Sequence, residues 1–105
     1  MIYCQDGIQV YFETHVTHGH YELQTSDING RPYFKMKYFG LWFDGVDRWW
    51  IGLDSQKGES KGYAYYHKDV FCPHQLSELN WRIWDHMEWS DAGNDLRTTC
   101  KCTFI

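Results

Sequence analysis

The sequence predicts an all-β domain, a small antiparallel sandwich or barrel of about seven or eight short strands, stapled by disulfides. Apolar and polar residues alternate with a period of two, helical periodicity is nearly absent, and turn residues recur at short intervals. The 105 residues, 1–105, match the length of a single domain. Aromatic residues make up 19% of the chain. Each ring can bury about 150–250 Å², so the core is expected to consist largely of rings.

The first half of the chain predicts three strands before the first long hairpin. Alternating segments lie at residues 8–13, 20–24 and 34–38. Asn29-Gly30 predicts a tight turn between the second and third of them. Residues 40–43 and 48–53 predict a hairpin around the loop 44–47.

The second half predicts further strands joined by longer loops. A polar loop is expected at 54–61, a tyrosine-rich strand at 62–67, and a loop at 68–78 with one helical turn near 74–77. Residues 79–83 form the next apolar face, which 84–89 continue past a bulge. A turn at 90–95 leads into a last strand at 96–104.

The four cysteines, Cys4, Cys72, Cys100 and Cys102, favour two disulfides in this short chain. Cys100 and Cys102 share one face of a strand and cannot easily bond to each other. Cys4 and Cys72 are therefore each expected to pair with one of them, at about 3–5 kcal/mol per bond in the chain-entropy model. Reduced core thiols and a metal site are the alternatives, although C-x₂₋₄-C spacing is absent.

The charge and hydropathy of the chain limit which partners and which cellular compartment are compatible with it. The net charge is −4 with no basic run, which argues against nucleic acid. No stretch reaches the ~18 apolar residues of a membrane span. Residues 1–7 lack the n- and h-regions of a signal peptide, so the chain is either cytosolic or a mature secreted form. The cysteines favour a secreted, extracellular protein.

Two polar segments are candidate metal sites. His15, His18 and His20 lie within six residues and could bind zinc, copper or nickel, but a loop fixes no metal-binding geometry and a polar hairpin connection is the favoured alternative. The acidic loop Asp44-Gly45-Val46-Asp47, with Asp54 nearby, has oxygen ligands suited to calcium. Turn chemistry is the alternative, and the EF-hand pattern is missing. No cofactor is expected, with calcium as the one open hypothesis.

The surplus of aromatic residues is the main functional clue. If Trp49, Ile51 and Leu53 face inward, Trp50 faces outward beside Arg48. By the same argument Trp84 faces away from the core with Arg82 and His86. Surface rings rimmed by polar groups are typical of binding sites, and rings beside hydroxyl-binding groups suit sugars. The predicted ligand-binding set is Trp42, Asp47, Arg48, Trp50, Trp84 and His86. The alternative is that these rings belong to the core or to a protein interface.

The residue types of a small hydrolase or nuclease also occur. They are Glu13, His15, His67, Arg82, Asp85 and His86. Their spacing places no acid and base around a substrate, and no G-x-S-x-G, H-E-x-x-H or Walker motif is present. No catalytic residue or metal ligand is therefore assigned.

Five segments carry a family resemblance across about half the chain: G-H-Y-E at 19–22, N-G-R-P-Y-F at 29–34, L-W-F at 41–43, W-W-I-G at 49–52 and G-Y-A-Y at 62–65. They resemble small Gly/Tyr/Trp-rich β modules that recur in extracellular multidomain proteins of marine invertebrates. The resemblance implies framework roles for Tyr21, Tyr33 and Trp49, and a lectin role for a free-standing copy. No C-type-lectin W-N-D triplet or β-trefoil Q-x-W repeat is present.

These observations favour a secreted carbohydrate-binding, lectin-like module whose partner is a glycan or glycoprotein. A structural or protein-binding extracellular module is the first alternative, and a small secreted hydrolase or nuclease is the second. Neither nucleic acid nor membrane insertion is expected, and a homo-oligomer is compatible with the surface rings.

Overall fold

The computed structural model describes residues 2–3, 7–71, 80–100 and 103–104 and shows an all-β protein. In these ranges the only helical segments are two 3₁₀ turns, Asp54–Gln56 and Gly93–Asp95. No helix among the described residues is long and apolar enough to cross a membrane. The strands are β1 (Ile2–Tyr3), β2 (Ile8–Tyr11), β3 (Gly19–Leu23), β4 (Phe34–Met36), β5 (Phe39–Phe43), β6 (Trp49–Leu53), β7 (Ala64–Tyr66), β8 (Arg82–Trp84), β9 (Trp89–Asp91), β10 (Arg97–Cys100) and β11 (Thr103–Phe104).

Nine of these strands form one antiparallel sheet in the order β10-β2-β3-β4-β5-β6-β7-β8-β9. β2 to β9 follow one another as a meander, and β10 returns to pair with β2. β1 and β11 form a separate two-stranded pair. The sheet curls into a half-barrel, which confirms the all-β antiparallel prediction. The expected strand number was too low, and the arrangement is one curled sheet rather than a two-sheet sandwich.

The inner face of the curled sheet holds the main core. Strands β2 to β7 contribute their inward alternate residues, because successive side chains of a strand point to opposite faces. Tyr21 and Trp49, two of the three framework positions implied by the family resemblance, are fully buried here, and the third, Tyr33, is buried in a second cluster. The core residues are Ile8, Val10, Tyr21, Phe34, Leu41, Phe43, Trp49, Ile51, Ala64, Tyr66, Trp81, Ala92 and Leu96.

The outer face of the central strands carries a second aromatic cluster, formed by Tyr33, Trp42 and Trp50. The segment 54–62 covers it, because Trp42 Nε1 donates a hydrogen bond to the Glu59 carbonyl at 2.8 Å. Gly52 permits this close approach. A Cβ at Gly52 would lie 2.8 Å from the Gly62 Cα and 3.0 Å from the Trp42 ring. The outer face is therefore a packed layer instead of a solvated one.

A short connection brings the two edge strands of the sheet near each other. β9 and β10 are opposite edges, yet only residues 92–96 join them. Five residues span at most about 20 Å even when fully extended. Ala92 and Leu96 are buried in the main core, and the Ala92 N–H donates to the Trp81 carbonyl at 2.9 Å. The connection thus holds the sheet in its curled form.

Two predicted turns are confirmed. Asn29 and Gly30 have φ of +53° and +77° between the bridged residues Ile28 and Arg31, as a two-residue hairpin turn with both φ positive requires. The loop 44–47 lies between Phe43 and Trp49, which pair across the β5–β6 hairpin.

Two other hairpins were expected to be continuous strands. The segment 34–38 turns at Lys37, whose φ is +53°, and its chain returns as β5. The segment 84–89 turns at His86, whose φ is +81°, instead of passing a bulge. The carboxylate of Asp85 accepts the N–H groups of Glu88 and Met87 in that turn, at 2.9 and 3.0 Å. These hydrogen bonds lower the pKa of Asp85.

The predicted disulfides fall largely outside the described residues. Cys4, Cys72 and Cys102 lie outside them, as does the predicted helical turn at 74–77. Cys100 ends β10, where its backbone pairs with Ile8. The disulfide pairing therefore stays a prediction.

The carboxylate of Asp44 organises the β5–β6 hairpin. Its Oδ1 accepts three backbone N–H groups, from Val46 at 2.8 Å, Asp47 at 3.0 Å and Arg48 at 3.2 Å. Its Oδ2 accepts Trp50 Nε1–H at 3.0 Å and the Ser60 hydroxyl at 2.9 Å. One buried side chain thus connects the turn, the outer aromatic cluster and the segment that covers it.

Replacing Asp44 with alanine is expected to lower the free energy of unfolding by about 3 kcal/mol or more, because buried donors lose a charged acceptor at about 1–3 kcal/mol each. Chemical denaturation measures the change. Asp47→Ala in the same loop is the matched control and is expected to cost under about 0.5 kcal/mol, as exposed substitutions usually do. Equal effects of the two substitutions would contradict this account of the hairpin.

Candidate functional site

The strand register aligns aromatic and charged side chains in rows on the outer face. Trp42 pairs with Trp50, Trp50 with Tyr65, Tyr65 with Arg82 and Arg82 with Asp91. These five residues form one continuous row across β5 to β9. Trp84 and Trp89 pair with each other in the adjacent row.

A cleft of about 460 Å³ opens on this face, and we call it the tryptophan cleft. Its residues come from β6, from the covering segment and from the β8–β9 hairpin. They are Arg48, Trp50, Ser60, Lys61, Gly62, Trp84 and Trp89.

The indoles of the cleft pack against one another from the buried floor to the surface. Trp50 is only 3% exposed and its ring centroid lies 5.8 Å from that of Trp89. Trp89 in turn lies 5.4 Å from Trp84, whose side chain is 44% exposed. Tyr65 supports this chain at 4.8 Å from Trp89. The cleft thus presents an exposed ring that is held by two rings beneath it.

Two of the three polar groups at the cleft, those of Arg48 and Ser60, are fixed by neighbouring side chains. The guanidinium carbon of Arg48 lies 4.5 Å from the centroid of the Tyr65 ring, a cation–π geometry. The Ser60 hydroxyl donates to Asp44 Oδ2, which leaves its oxygen available as an acceptor. The Lys61 ammonium is 4.0 Å from Glu59 Oε1, at the limit of an ion pair.

Asp44 remains ionised beneath the cleft. Burial by itself would raise the pKa of this carboxyl, but the hydrogen bonds from Trp50, from the backbone of Val46 and Arg48, and from Ser60 outweigh it. The net effect lowers the pKa of Asp44. The carboxylate therefore stays charged at neutral pH and keeps the Trp50 ring in place.

The structure brings together three of the six predicted ligand-binding residues. Arg48, Trp50 and Trp84 line the same cleft. Trp50 and Trp84 lie on the predicted outer face, opposite the core residues Ile51 and Ile83. The exposure expected for Trp84 is confirmed at 44%.

The other three predicted residues lie outside the cleft lining. Trp42 is fully buried, and Trp50, although it lines the cleft, is nearly so. The expectation that both rings lie at the surface is therefore wrong. The physical reason is that the segment 54–62 covers them. Asp47 lies at the edge of the site and pairs with His67 Nε2 at 2.8 Å and with Arg48 Nε at 3.8 Å. His86 lies in the β8–β9 turn.

Sequence reasoning missed Trp89, Tyr65, Ser60 and Lys61. Trp89 was missed because the hairpin between β8 and β9 was not recognised. Its pairing with Trp84 follows directly from a turn at residues 85–88. Ser60 and Lys61 belong to a loop whose position over the outer face no local pattern indicates.

Of the histidine segment at 15–20, residues 15–18 lie in a packed loop between β2 and β3, and His20 lies in β3. His15 stacks on Phe12 at 4.4 Å, and its Nδ1 lies 2.7 Å from the Thr17 hydroxyl. His18 Nδ1 accepts the Phe12 N–H at 3.0 Å. The Nδ1 atoms of His15 and His18 thus both form local hydrogen bonds, as expected for a polar hairpin loop.

The acidic loop is explained by turn chemistry. Both oxygens of Asp44 accept hydrogen bonds, and Asp54 lies at the other end of the hairpin near Lys35 and Lys57. Within the described ranges no group of three or more His, Cys, Asp or Glu residues is placed to hold a metal ion. The calcium hypothesis therefore gains no support from this loop.

The residue types of a hydrolase are dispersed. His15 contacts Thr17, Phe12 and Tyr63, His67 contacts Asp47, and Arg82 contacts Asp91. Apart from the chain neighbours Asp85 and His86, no hydrogen bond, ion pair or ring contact observed in the described part of the chain joins two members of the set.

Comparison with protein-family models, with curated proteins and with solved structures finds no match to this chain.

The half-buried ring of His15 leads to a pH prediction. Burial lowers its pKa below the ordinary value of 6.5, so the folded state favours the neutral ring. The unfolded chain binds a proton first as the pH falls through about 6.5, and folding stability is lost below that pH. We expect His15→Asn, which does not titrate, to show a smaller fall in melting temperature between pH 7.5 and 5.5 than the parent protein.

The matched control is His67→Asn, which removes an exposed imidazole paired with Asp47. It is expected to leave the fall in melting temperature about as large as in the parent protein, because the substitution leaves His15 and its contacts intact. Scanning calorimetry at both pH values measures the change. A fall in His15→Asn as large as in the parent protein would contradict the prediction.

Proposed function

We propose that this protein is a secreted carbohydrate-binding module and that the tryptophan cleft holds the glycan. The observation that carries the proposal is the exposed indole of Trp84, 44% exposed and packed against Trp89 at the mouth of a cleft. Large aromatic side chains exposed beside polar groups are typical of binding sites.

The proposed contact uses both chemical properties of a sugar ring. The apolar C–H face of a pyranose packs on the Trp84 indole, which removes apolar surface from water on both sides. The hydroxyl groups at the ring edge then face Arg48, Ser60 and Lys61. Arg48 and Lys61 donate hydrogen bonds, and Ser60 accepts through its free lone pair. These groups satisfy hydroxyls that would otherwise lose their water partners.

The support under Trp84 favours binding of a rigid ligand. Trp89 and Trp50 back the exposed ring, and Arg48 is stacked on Tyr65. A side chain that is already ordered loses little entropy when a ligand binds, which improves affinity for a given contact area. The four cysteines of the chain support the secreted part of the proposal, because disulfides persist in oxidising compartments.

A second candidate is a protein-binding module. Met87, at the tip of the β8–β9 turn, is 87% exposed beside the exposed Trp84. Methionine and tryptophan are both enriched in protein interfaces. In this alternative the hairpin tip inserts into a pocket of a partner or of a second copy.

We expect Trp84→Ala to weaken glycan binding by about 30-fold, because truncating a central aromatic residue typically costs about 2 kcal/mol. A glycan array identifies the ligand, with and without calcium, and titration calorimetry measures the affinity of each variant. Tyr38→Ala is the matched control. Tyr38 is 78% exposed in the turn between β4 and β5, and its loss is expected to leave the affinity unchanged.

Met87→Ala separates the two candidates. It is expected to leave glycan binding intact and would weaken a protein contact at the hairpin tip. An array without any glycan hit would overturn the carbohydrate proposal, as would full affinity in Trp84→Ala. Trp50→Ala is unsuitable as a binding probe, because Trp50 is buried and its loss is expected to cost about 3–5 kcal/mol of stability.

A further inference from the structure

A second cleft of about 410 Å³ adjoins the tryptophan cleft on the same face. Its lining residues are Tyr65, Tyr66, His67, Lys68, Asn80 and Arg82. Tyr65 separates the two clefts. Its ring lies 5.2 Å from Trp50 and 4.8 Å from Trp89, both of which line the tryptophan cleft. The two clefts therefore form neighbouring subsites on either side of one tyrosine.

The lining of both subsites is basic, although the whole chain carries a net charge of −4. Two cations, Arg48 and Lys61, line the tryptophan cleft, two more, Lys68 and Arg82, line the second cleft, and no described lining residue carries a carboxylate. The nearby acids bind these cations weakly. Glu59 lies 4.0 Å from Lys61, and Asp91, which pairs with Arg82 at 3.2 Å, has a side chain that is 75% exposed. Exposed pairs of this kind yield readily to a better-placed anion.

Arg48 is the best-placed of these cations. Its guanidinium carbon lies over the Tyr65 ring, 4.5 Å from the ring centroid, at the boundary between the subsites. Asp47 is 3.8 Å from its Nε, beyond hydrogen-bonding distance, and that buried Nε has no hydrogen-bond acceptor. A planar guanidinium fixed in this way matches the paired oxygens of a carboxylate or sulfate.

We propose that the ligand of this site is an acidic oligosaccharide, with one sugar ring on Trp84 and the carboxylate or sulfate of the same or the next residue on Arg48. This inference rests on the carbohydrate-binding function proposed above and adds the ligand class and the residue that selects it. The second cleft holds the following sugar, beside Arg82 and Lys68.

The test compares charged and neutral forms of the same glycan. The probes are a sulfated tetrasaccharide with its desulfated counterpart, and a uronic-acid tetrasaccharide with its carboxyl-reduced counterpart. We expect the protein to bind at least one charged member about tenfold or more tightly than its neutral counterpart, and the preferred pair identifies the anion. Arg48→Gln is expected to abolish this preference, because it lowers affinity for the charged member about tenfold more than affinity for the neutral member, which also loses its hydrogen bonds to Arg48.

Arg97→Gln is the matched control. Arg97 stacks on Tyr11 at 5.2 Å and lines a different cleft, so the substitution removes the same charge from a similar cation–π pair. It is expected to leave the charged-glycan preference unchanged. Arg48→Lys keeps the charge without the planar guanidinium, so it serves as a second test if Arg48→Gln is unstable, with an expected loss of about threefold or more.

The outcomes separate the two proposals. Equal affinity for charged and neutral glycans would overturn the acidic ligand and leave the carbohydrate-binding function standing. Two results would show that the preference is only unspecific attraction between charges and would overturn the role of Arg48. One is an equal loss of charged-glycan preference in Arg48→Gln and Arg97→Gln, and the other is binding of polyglutamate as tight as that of the charged glycans. Failure to bind any of the four probes or any array glycan would overturn the proposed function together with this inference.

Discussion

The buried carboxylate of Asp44 is the interaction on which the outer half of the molecule depends. It closes the β5–β6 hairpin through three backbone N–H groups and also holds Trp50 and Ser60. The same two oxygens therefore set the turn, the floor of the tryptophan cleft and the path of the segment above it. A buried charge is tolerated here because five donors replace its water shell. The hydrogen bonds that offset the desolvation of the Asp44 carboxylate are thus the same ones that hold the cleft in order.

The sequence predicts the fold class and most strand faces of this protein, and its failures have a common physical cause. Alternation identifies Ile8, Trp49 and Ile51 as inward residues, and all three are fully buried. The turn at Asn29-Gly30 was recognised because these residue types adopt positive φ readily. The turns at Lys37 and His86 were missed, because each places a residue with a Cβ at positive φ. The pairing of the flanking strands imposes both turns, and at 85–88 the Asp85 carboxylate adds a local hydrogen-bonded turn that the alternation pattern does not indicate.

The candidate site was only half predictable, because strand alternation assigns a face and does not assign exposure. Trp50 and Trp84 lie on the same face as expected, yet one is 3% exposed and the other 44%. The difference comes from the segment 54–62, which crosses over the central strands and leaves the β8–β9 hairpin open. Local sequence carries little information on where such a loop lies. In a chain so rich in rings, part of the surplus forms a second packed layer, and the remainder lines the cleft.

The chain of indoles from Trp50 through Trp89 to Trp84 has an optical consequence. Neighbouring centroids lie 5.8 and 5.4 Å apart at interplanar angles of 73° and 58°. Electronic transitions of chromophores this close and this inclined couple to one another, and the coupling produces circular dichroism that isolated indoles lack. Trp84 is the most exposed member of the chain, Trp89 is partly buried and Trp50 is buried, so anything that covers Trp84 changes the polarity around one end of a coupled set. The protein thus contains its own spectroscopic reporter for occupancy of the cleft.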